Sequence, residues 1–326
     1  MNDVICVGSS TIDLYVKPKF SEVLYDKSNK EHISFPVGGK ILVDELEFST
    51  GGGGTNAAVA LARLGLKVAY LGKMGLDDYS ATILQSLNKE GIDTSLVAKK
   101  KNAKAGFSVV IDDKGRDRTI LSFRGSNGDL LWEEIPKVKL KTKWFYFSSM
   151  MKESFKTLIR LSEYAEKKNI QIAFVLSPFL AEKGMRSLKS ILKRVSVLVL
   201  NKEEAGLLVG DKDYESQFNA LVKAGPTTIA ITDGAKGAHV FNEGCIYYGK
   251  PRRVKIVETT GAGDAFASTF LAGLIAKNDI PFALKLAMAN AESVIGHHGA
   301  KEKLLTFKEA SKKINGRTVK NQKNVI

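Results

Sequence analysis

A carboxylate set among small residues at the start of a helix is the part of this sequence best suited to chemistry. The stretch runs Glu258-Thr259-Thr260-Gly261-Ala262-Gly263-Asp264-Ala265-Phe266. Gly261, Ala262 and Gly263 carry little or no side chain, so backbone N–H groups can converge on one point there. Unpaired donors and the macrodipole at a helix N-terminus both favour an anion. A carboxylate in such a place is wasteful for holding an anion. It makes sense if Asp264 takes a proton from a hydroxyl while a phosphoryl group passes beside it. Helix capping, which Asp does well, is the structural alternative. The adjacent dipole predicts a lowered pKa for Asp264.

A second small-residue run is Gly51-Gly52-Gly53-Gly54-Thr55-Asn56. The P-loop pattern is absent from the chain. Gly52-x-Gly54-x-x-Ala57 is a loose match to the dinucleotide pattern, but the next strand closes as Tyr70-Leu71-Gly72-Lys73, without the ribose-binding acid. Four glycines instead clear side chains so that a ligand, polyhydroxylated or phosphorylated, can lie against the backbone. Asn56 offers it both a donor and an acceptor. A tight turn needs fewer glycines.

These residues need a frame that brings them together. Strand-like apolar runs alternate with helical patterns, which predicts a three-layer α/β/α fold with a mostly parallel central sheet. Strands are expected at residues 4–7, 67–71, 144–147, 170–176, 195–200 and 227–231. Helices are expected at 55–64, 77–90, 153–168, 263–277, 281–295 and 307–314. Gly65 and Gly91 suit left-handed C-terminal caps, and Asp77 suits an N-cap. Two segments break the alternation. Residues 15–49 hold no convincing helix, and strand patterns at 105–111 and 118–123 flank a hairpin signal at Asp112-Asp113-Lys114-Gly115. They are expected to pair into a small β-sheet lid, 15–49 with 105–123, over the site; a surface excursion is the plainer alternative. The whole chain, 1–326, reads as one domain with a basic tail from about residue 312.

The net charge of +14 gathers in runs: Lys99-Lys100-Lys101 with Lys104; Lys137, Lys139, Lys141 and Lys143; then Lys312, Lys313, Arg317, Lys320 and Lys323. A nucleic-acid reader needs aromatics among such charges, and only Trp144-Phe145-Tyr146 follows, with the spacing of a buried strand. Nucleic acid is therefore not an expected partner. The runs read as solvated surface, with a field that attracts anionic substrates as the functional alternative. No apolar run approaches membrane-spanning length, so no membrane association is expected. The first residues lack a basic n-region and read as a strand. Cys6 and Cys245 form no motif, which fits buried thiols and a reducing cytoplasm.

Taken together, these motifs resemble the ribokinase-type carbohydrate kinase family, also called PfkB. Residues 51–56 with Gly65, Gly72 and Gly75 match its N-terminal signature, and 259–265 match its C-terminal one. Asn201-Lys202-Glu203-Glu204 is similar to its Asn-x-x-Glu motif, and the resemblance runs from about residue 4 to 305. It implies a ribokinase-like fold and ATP- and Mg²⁺-dependent transfer of a γ-phosphoryl group to a hydroxyl of a sugar or sugar derivative. Asp264 would be the general base, with Gly261, Ala262 and Gly263 as the anion hole. Asn201 and Glu204 would serve Mg²⁺, in part through water; a helix cap is their structural alternative. Thr232, Gly234 and Gly237 would belong to a nucleotide loop, with Asn290 near the adenine. Asp13, Gly52, Gly53 and Asn56 would face the acceptor.

Arg124, leaving the expected lid, would favour an acceptor bearing a carboxylate or phosphate, or would form a salt bridge on the lid. This sequence also departs from the family pattern. Gly53 stands where relatives often carry Lys, and Glu258 where Asp is usual. Glu258 with Gly299 marks the place of a monovalent-cation site, so K⁺ activation is in question, while His297 and His298 read as helix-end residues. Lids in the family often form homodimers. The nearest alternative is a nucleoside kinase, with Phe20, Tyr25, Phe35 or Phe48 stacking a base. A non-catalytic nucleotide-binding homologue is opposed by the retained Asp264.

Overall fold

A computed structural model describes residues 1–111, 118–297 and 299–322, the last with its backbone alone. The expected turn at 112–115, His298 and Lys323 lie outside the described residues. Nine strands form the main sheet in the order Val319–Gln322, Cys245–Gly249, Ala238–Asn242, Thr228–Thr232, Val197–Asn201, Gln171–Val175, Thr142–Ser148, Asn2–Val7, Val68–Leu71. From Thr228–Thr232 to Val68–Leu71 every pairing is parallel; the remaining edge is antiparallel. Parallel strands must be covered on both faces, and alternate residues divide accordingly. Val4, Cys6 and Tyr146 pack under the helices Gly53–Arg63 and Ala262–Lys277, whereas Ile5, Val7, Phe145 and Phe147 meet Leu158, Leu161 and Leu188 on the other side. This is the three-layer α/β/α arrangement expected from the alternation.

The predicted caps are in place. Gly65 and Gly91 have φ of 90° and 71°, and the Asp77 side chain accepts from the Ser80 N–H. Among the elements not expected are the helices Pro178–Ala181, Gly184–Leu192 and Tyr214–Val222, each too short for a clear period, and the antiparallel strands Ala238–Asn242 and Cys245–Gly249. The tail also differs from expectation, because Val319–Gln322 pairs with Cys245–Gly249 as the edge strand. No helix among the described residues is long and apolar enough to cross a membrane.

A separate four-stranded sheet has the order Thr119–Phe123, Gly106–Ile111, Thr11–Pro18, Val43–Gly51. It begins at Thr11, earlier than expected, since the strand pattern of residues 11–14 reads equally as a continuation of the first strand. The register puts Asp13 and Tyr15 on one face with Ser49, Glu47 and Ser108, while Leu14, Phe48, Val109 and Leu121 share a row on the other. One face of this sheet is therefore polar and carries Asp13; the other is apolar. Glu22–Tyr25 and Glu31–Ser34 pair separately.

Candidate active site

The parallel strands end along one edge, and a doubly covered sheet binds ligands outside that edge. Gly8 to Ser10, Ser148, Asn201 and Thr232 all follow or close such strands. The glycine run enters the same place, and the structure gives each glycine its own reason. A Cβ on Gly51 would lie 1.8 Å from Asp13 Oδ2, and one on Gly54 would lie 2.7 Å from the Gly8 backbone. Gly52 has φ of 97° and is pressed against Ser9 and Ser10. Gly52 and Gly54 are thus demanded by close backbone packing, and Gly51 by the Asp13 carboxylate that lies against it, which corrects the expectation that the whole run clears space for a ligand. Gly53 alone looks toward the site, where a Cβ would lie 2.3 Å from Ser148 Oγ and 3.4 Å from Asp264 Oδ1.

The helix that starts at Gly53 carries Asn56 in its first turn, and Asn56 Nδ2 donates to Asp264 Oδ2 at 2.9 Å. Asn56 Oδ1 is buried without a protein partner among the described residues. Residues more than 200 positions apart in sequence are therefore joined at their reactive ends. Burial pushes the Asp264 carboxyl up to about 6, the Asn56 hydrogen bond opposes the rise, and the charge of Asp13 adds to it. This reverses the sequence expectation of a lowered pKa. A helix dipole contributes about 0.3–1 kcal/mol at an exposed end, and desolvation outweighs it here.

At the N-terminus of the Ala262–Lys277 helix, Gly261 has φ of 81°, and a Cβ there would lie 2.5 Å from Ala300 Cα. Gly263 is different: it is exposed, and a Cβ would meet nothing within 4 Å. Among the described residues, the N–H groups of Gly261, Gly263 and Asp264 have no protein acceptor. Ala262 N–H instead donates to the Thr259 carbonyl at 3.3 Å. The open donors thus differ from the expected set in one member, Asp264 standing in for Ala262.

Asp13 is buried, accepts from Thr11 Oγ1 at 2.9 Å, and has its pKa raised by burial against the hydroxyls of Thr11 and Ser108. Lys301, which sequence reasoning missed, is buried nearby and donates to Thr50 Oγ1 at 2.5 Å. Burial lowers its pKa to about 8, and Asp13 is the first charge opposing that fall. Nothing about a lone Lys after Gly299-Ala300 marks it as buried. Tyr146 was also missed as a site residue; its hydroxyl is buried without a partner among the described residues and feels the charge of Asp264.

Asn201 and Glu204 form a reciprocal cap: Asn201 Oδ1 accepts from Glu204 N–H, and Glu204 Oε2 from Asn201 N–H, both at 2.8 Å. Burial raises the Glu204 carboxyl to about 7, and the charges of Glu203 and Asp264 add to the rise. Thr232 ends its strand, Gly234 has φ of 47° with open space around it, and Gly237 (φ 98°) lies against the Gly249 carbonyl. Asn290 departs from expectation. It is fully buried, with Nδ2 donating to Thr269 Oγ1 at 2.7 Å and Oδ1 accepting from Leu305 N–H at 2.9 Å. Both ends of the amide are thus engaged inside the protein, tying Leu305 to two helices rather than facing a base.

Glu258 and Gly299 do come together, but Gly299 offers its N–H, which donates to Glu258 Oε2 at 2.8 Å. One oxygen of the Glu258 carboxylate is thus tied to the backbone at Gly299. Arg124 makes no salt bridge among the described residues; its guanidinium carbon sits 4.6 Å from the centroid of the Phe179 ring. Among the described residues no cluster of three or more His, Cys, Asp or Glu side chains could hold a metal ion.

Residues 1–306 match the family described as pfkB family carbohydrate kinase. The 5-dehydro-2-deoxygluconokinase of Bacillus subtilis is 24% identical over 94% of each chain. Among solved structures, the nucleoside kinase of Methanocaldococcus jannaschii superposes with a TM-score of 0.80 at 18% identity, over 96% of this chain and 98% of the other. Arabidopsis thaliana ribokinase complexed with ribose and ATP gives 0.79 at 20% identity, over 96% and 99%.

Proposed function

We propose that this chain, which belongs to the pfkB family of carbohydrate kinases, moves the γ-phosphoryl group of ATP to a hydroxyl of a sugar or sugar derivative, with Asp264 as general base. The observation that carries this reading is the carboxylate of Asp264, raised to about 6 and held by Asn56, beside the open N–H groups of Gly261 and Gly263. A base is most effective when its pKa approaches the working pH. Burial therefore makes Asp264 a stronger acceptor for the hydroxyl proton. The open N–H groups would meet the charge on the migrating phosphoryl oxygens. Asp13 and Asn56 would hold the acceptor, and the strand-end loop at Thr232, Gly234 and Gly237 would take the nucleotide. Asn290 would act there only through the backbone it fixes.

Magnesium fits one place. Among the described residues Glu204 Oε1 has no protein hydrogen-bond partner, while Oε2 is tied to Asn201. A single carboxylate serves an ion that retains most of its waters. When bound, Mg²⁺ would neutralise phosphate charge. Glu204, near half-protonated at neutral pH in its absence, would ionise as the cation arrives.

The names of the relatives favour a sugar-type acceptor: the Bacillus subtilis protein is a 5-dehydro-2-deoxygluconokinase. A nucleoside is the second reading: Phe20 is exposed beside the small sheet, whereas Phe48 lies on the face opposite Asp13. ATP turnover across neutral sugars, sugar acids, sugar phosphates and nucleosides decides between them. Product from at least one sugar-type acceptor is expected; turnover confined to nucleosides would favour the second reading, and none at all would overturn both.

The apolar face of the small sheet bears on assembly. Leu46, Phe48, Leu121 and Phe123 are each more than half exposed. A face of that kind is suited to a second copy of the chain. A homodimer is expected by sedimentation, with Phe48→Glu and Leu121→Glu together giving monomers. A wild-type chain that stays monomeric at micromolar concentration would reject this.

A further inference from the structure

A cavity of about 70 Å³ lies beside the proposed acceptor site, walled in part by Ser9, Arg124, Gly128, Ser149, Met151 and Lys152. One buried water needs roughly 10–15 Å³ measured in this way, so the space takes a group of several heavy atoms. Its position is fixed by the chain. Ser9 directly follows Gly8, against which Gly54 packs, and Ser149 follows Ser148, which lies against Gly53 beside Asp264. The cavity therefore opens at the carboxyl ends of two adjacent parallel strands, Asn2–Val7 and Thr142–Ser148, next to the general base.

Two cations line it, and neither is neutralised. Among the described residues, Arg124 and Lys152 have no carboxylate partner. Arg124 is half-buried and stacked on Phe179, an arrangement that leaves its in-plane N–H donors free for another group. Burial alone lowers its pKa, with no acid opposing the fall. Lys152 opens the helix Lys152–Lys168 at φ of 52°, a left-handed conformation that costs a non-glycine residue about 1–3 kcal/mol. Its aliphatic stem crosses Gly128, where a Cβ would lie 3.3 Å from Lys152 Cδ. Backbone strain that holds an unpaired cation at a cavity wall points to a ligand rather than to folding.

We propose that this cavity receives an oxyanion carried by the acceptor, so that the enzyme phosphorylates anionic polyols, sugar acids or sugar phosphates, in preference to neutral ones. The inference rests on the kinase reading above and names the substrate class for that site. Arg124 would grip the oxyanion through paired N–H donors, Lys152 would add a point charge, and the far hydroxyl would then lie toward Asp264.

Steady-state kinetics on the full chain test it, using a neutral sugar, the corresponding sugar acid and the corresponding phosphate ester, each with saturating ATP. Wild type is expected to show a kcat/KM at least about tenfold higher for one of the anionic acceptors than for the neutral sugar. The acid and ester arms show which oxyanion it is. Arg124→Ala should raise KM for that acceptor by about ten- to a hundredfold while kcat changes by less than about threefold, with the neutral sugar unaffected. Lys152→Met should give a smaller loss with the same selectivity. Where Arg124→Ala does not melt cooperatively, Arg124→Gln, which retains a planar group over Phe179, replaces it. Equal losses on neutral and anionic acceptors, or a wild type that prefers the neutral sugar, would overturn the inference while leaving the kinase reading intact. Absence of ATP-dependent product from every acceptor would overturn both.

Discussion

Asp264→Asn is expected to lower kcat by about 10²–10⁴-fold, the usual weight of a positioned general base, while making the fold more stable at neutral pH. The two effects share one cause. Burial raises the carboxyl from 3.8 to about 6, so the folded chain prefers the protonated form. The stability this confers is fully present below pH 3.8 and is lost as pH rises through about 6. At pH 7 the ionised side chain is a burden that Asn does not carry. Because Asp264 is partly open to solvent, the relief is discounted to about 1–2 kcal/mol, a few degrees in Tm. In the active enzyme, kcat/KM should climb with pH and level off above about 6. Asn56→Leu, which removes the bond that opposes the shift, should move the midpoint upward. A flat profile from pH 5 to 8, or a variant melting below wild type with full activity, would contradict this account.

Gly261→Ala should be the most damaging single-methyl change in the chain's catalytic half. The position has φ of 81°, and the new Cβ would lie 2.5 Å from Ala300 Cα. Left-handed backbone costs a non-glycine residue about 1–3 kcal/mol, and overpacking against fixed atoms costs about the same again. A loss of about 2–5 kcal/mol is therefore expected in denaturant unfolding, together with a fall in kcat as the helix N-terminus shifts. Gly263→Ala, two residues on, is the control. Its Cβ meets nothing in the protein, and Ala is the better helix former by about 0.5–1 kcal/mol. It should fold at least as well as wild type yet bind ATP less tightly, because the methyl enters space left for phosphate. Equal stability losses at both positions would show that the glycines serve packing alone.

What could be read in advance depended on how local each cause was. Gly261 and Asp264 were legible because a helix start and its first turn are set within a few residues. The caps at Gly65, Gly91 and Asp77 were legible for the same reason. The six parallel strands of the main sheet could be read because burial on both faces makes them continuously apolar, whereas the antiparallel strands at its edge could not. Other causes lie between segments distant in sequence. Gly54 is glycine because Gly8 passes against it, and Asn290 is spent on Thr269 and the Leu305 backbone. Lys301 belongs to the site only because the chain returns it to Thr50 and Asp13. The direction of the Asp264 shift was misread because the dipole can be inferred from a helix start, whereas desolvation depends on what the fold lays over it.

The small sheet and the Gly53–Arg63 helix meet through a single residue. The strand ends at Gly51, the helix begins at Gly53, and Thr55 Oγ1 reaches back across Gly52 to the Gly51 carbonyl at 2.5 Å. The next residue, Asn56, holds Asp264. Such a joint leaves one residue of backbone between the sheet that carries Asp13 and the helix that ties down Asp264, so any substitution that lengthens or loosens Gly52 bears on both carboxylates at once.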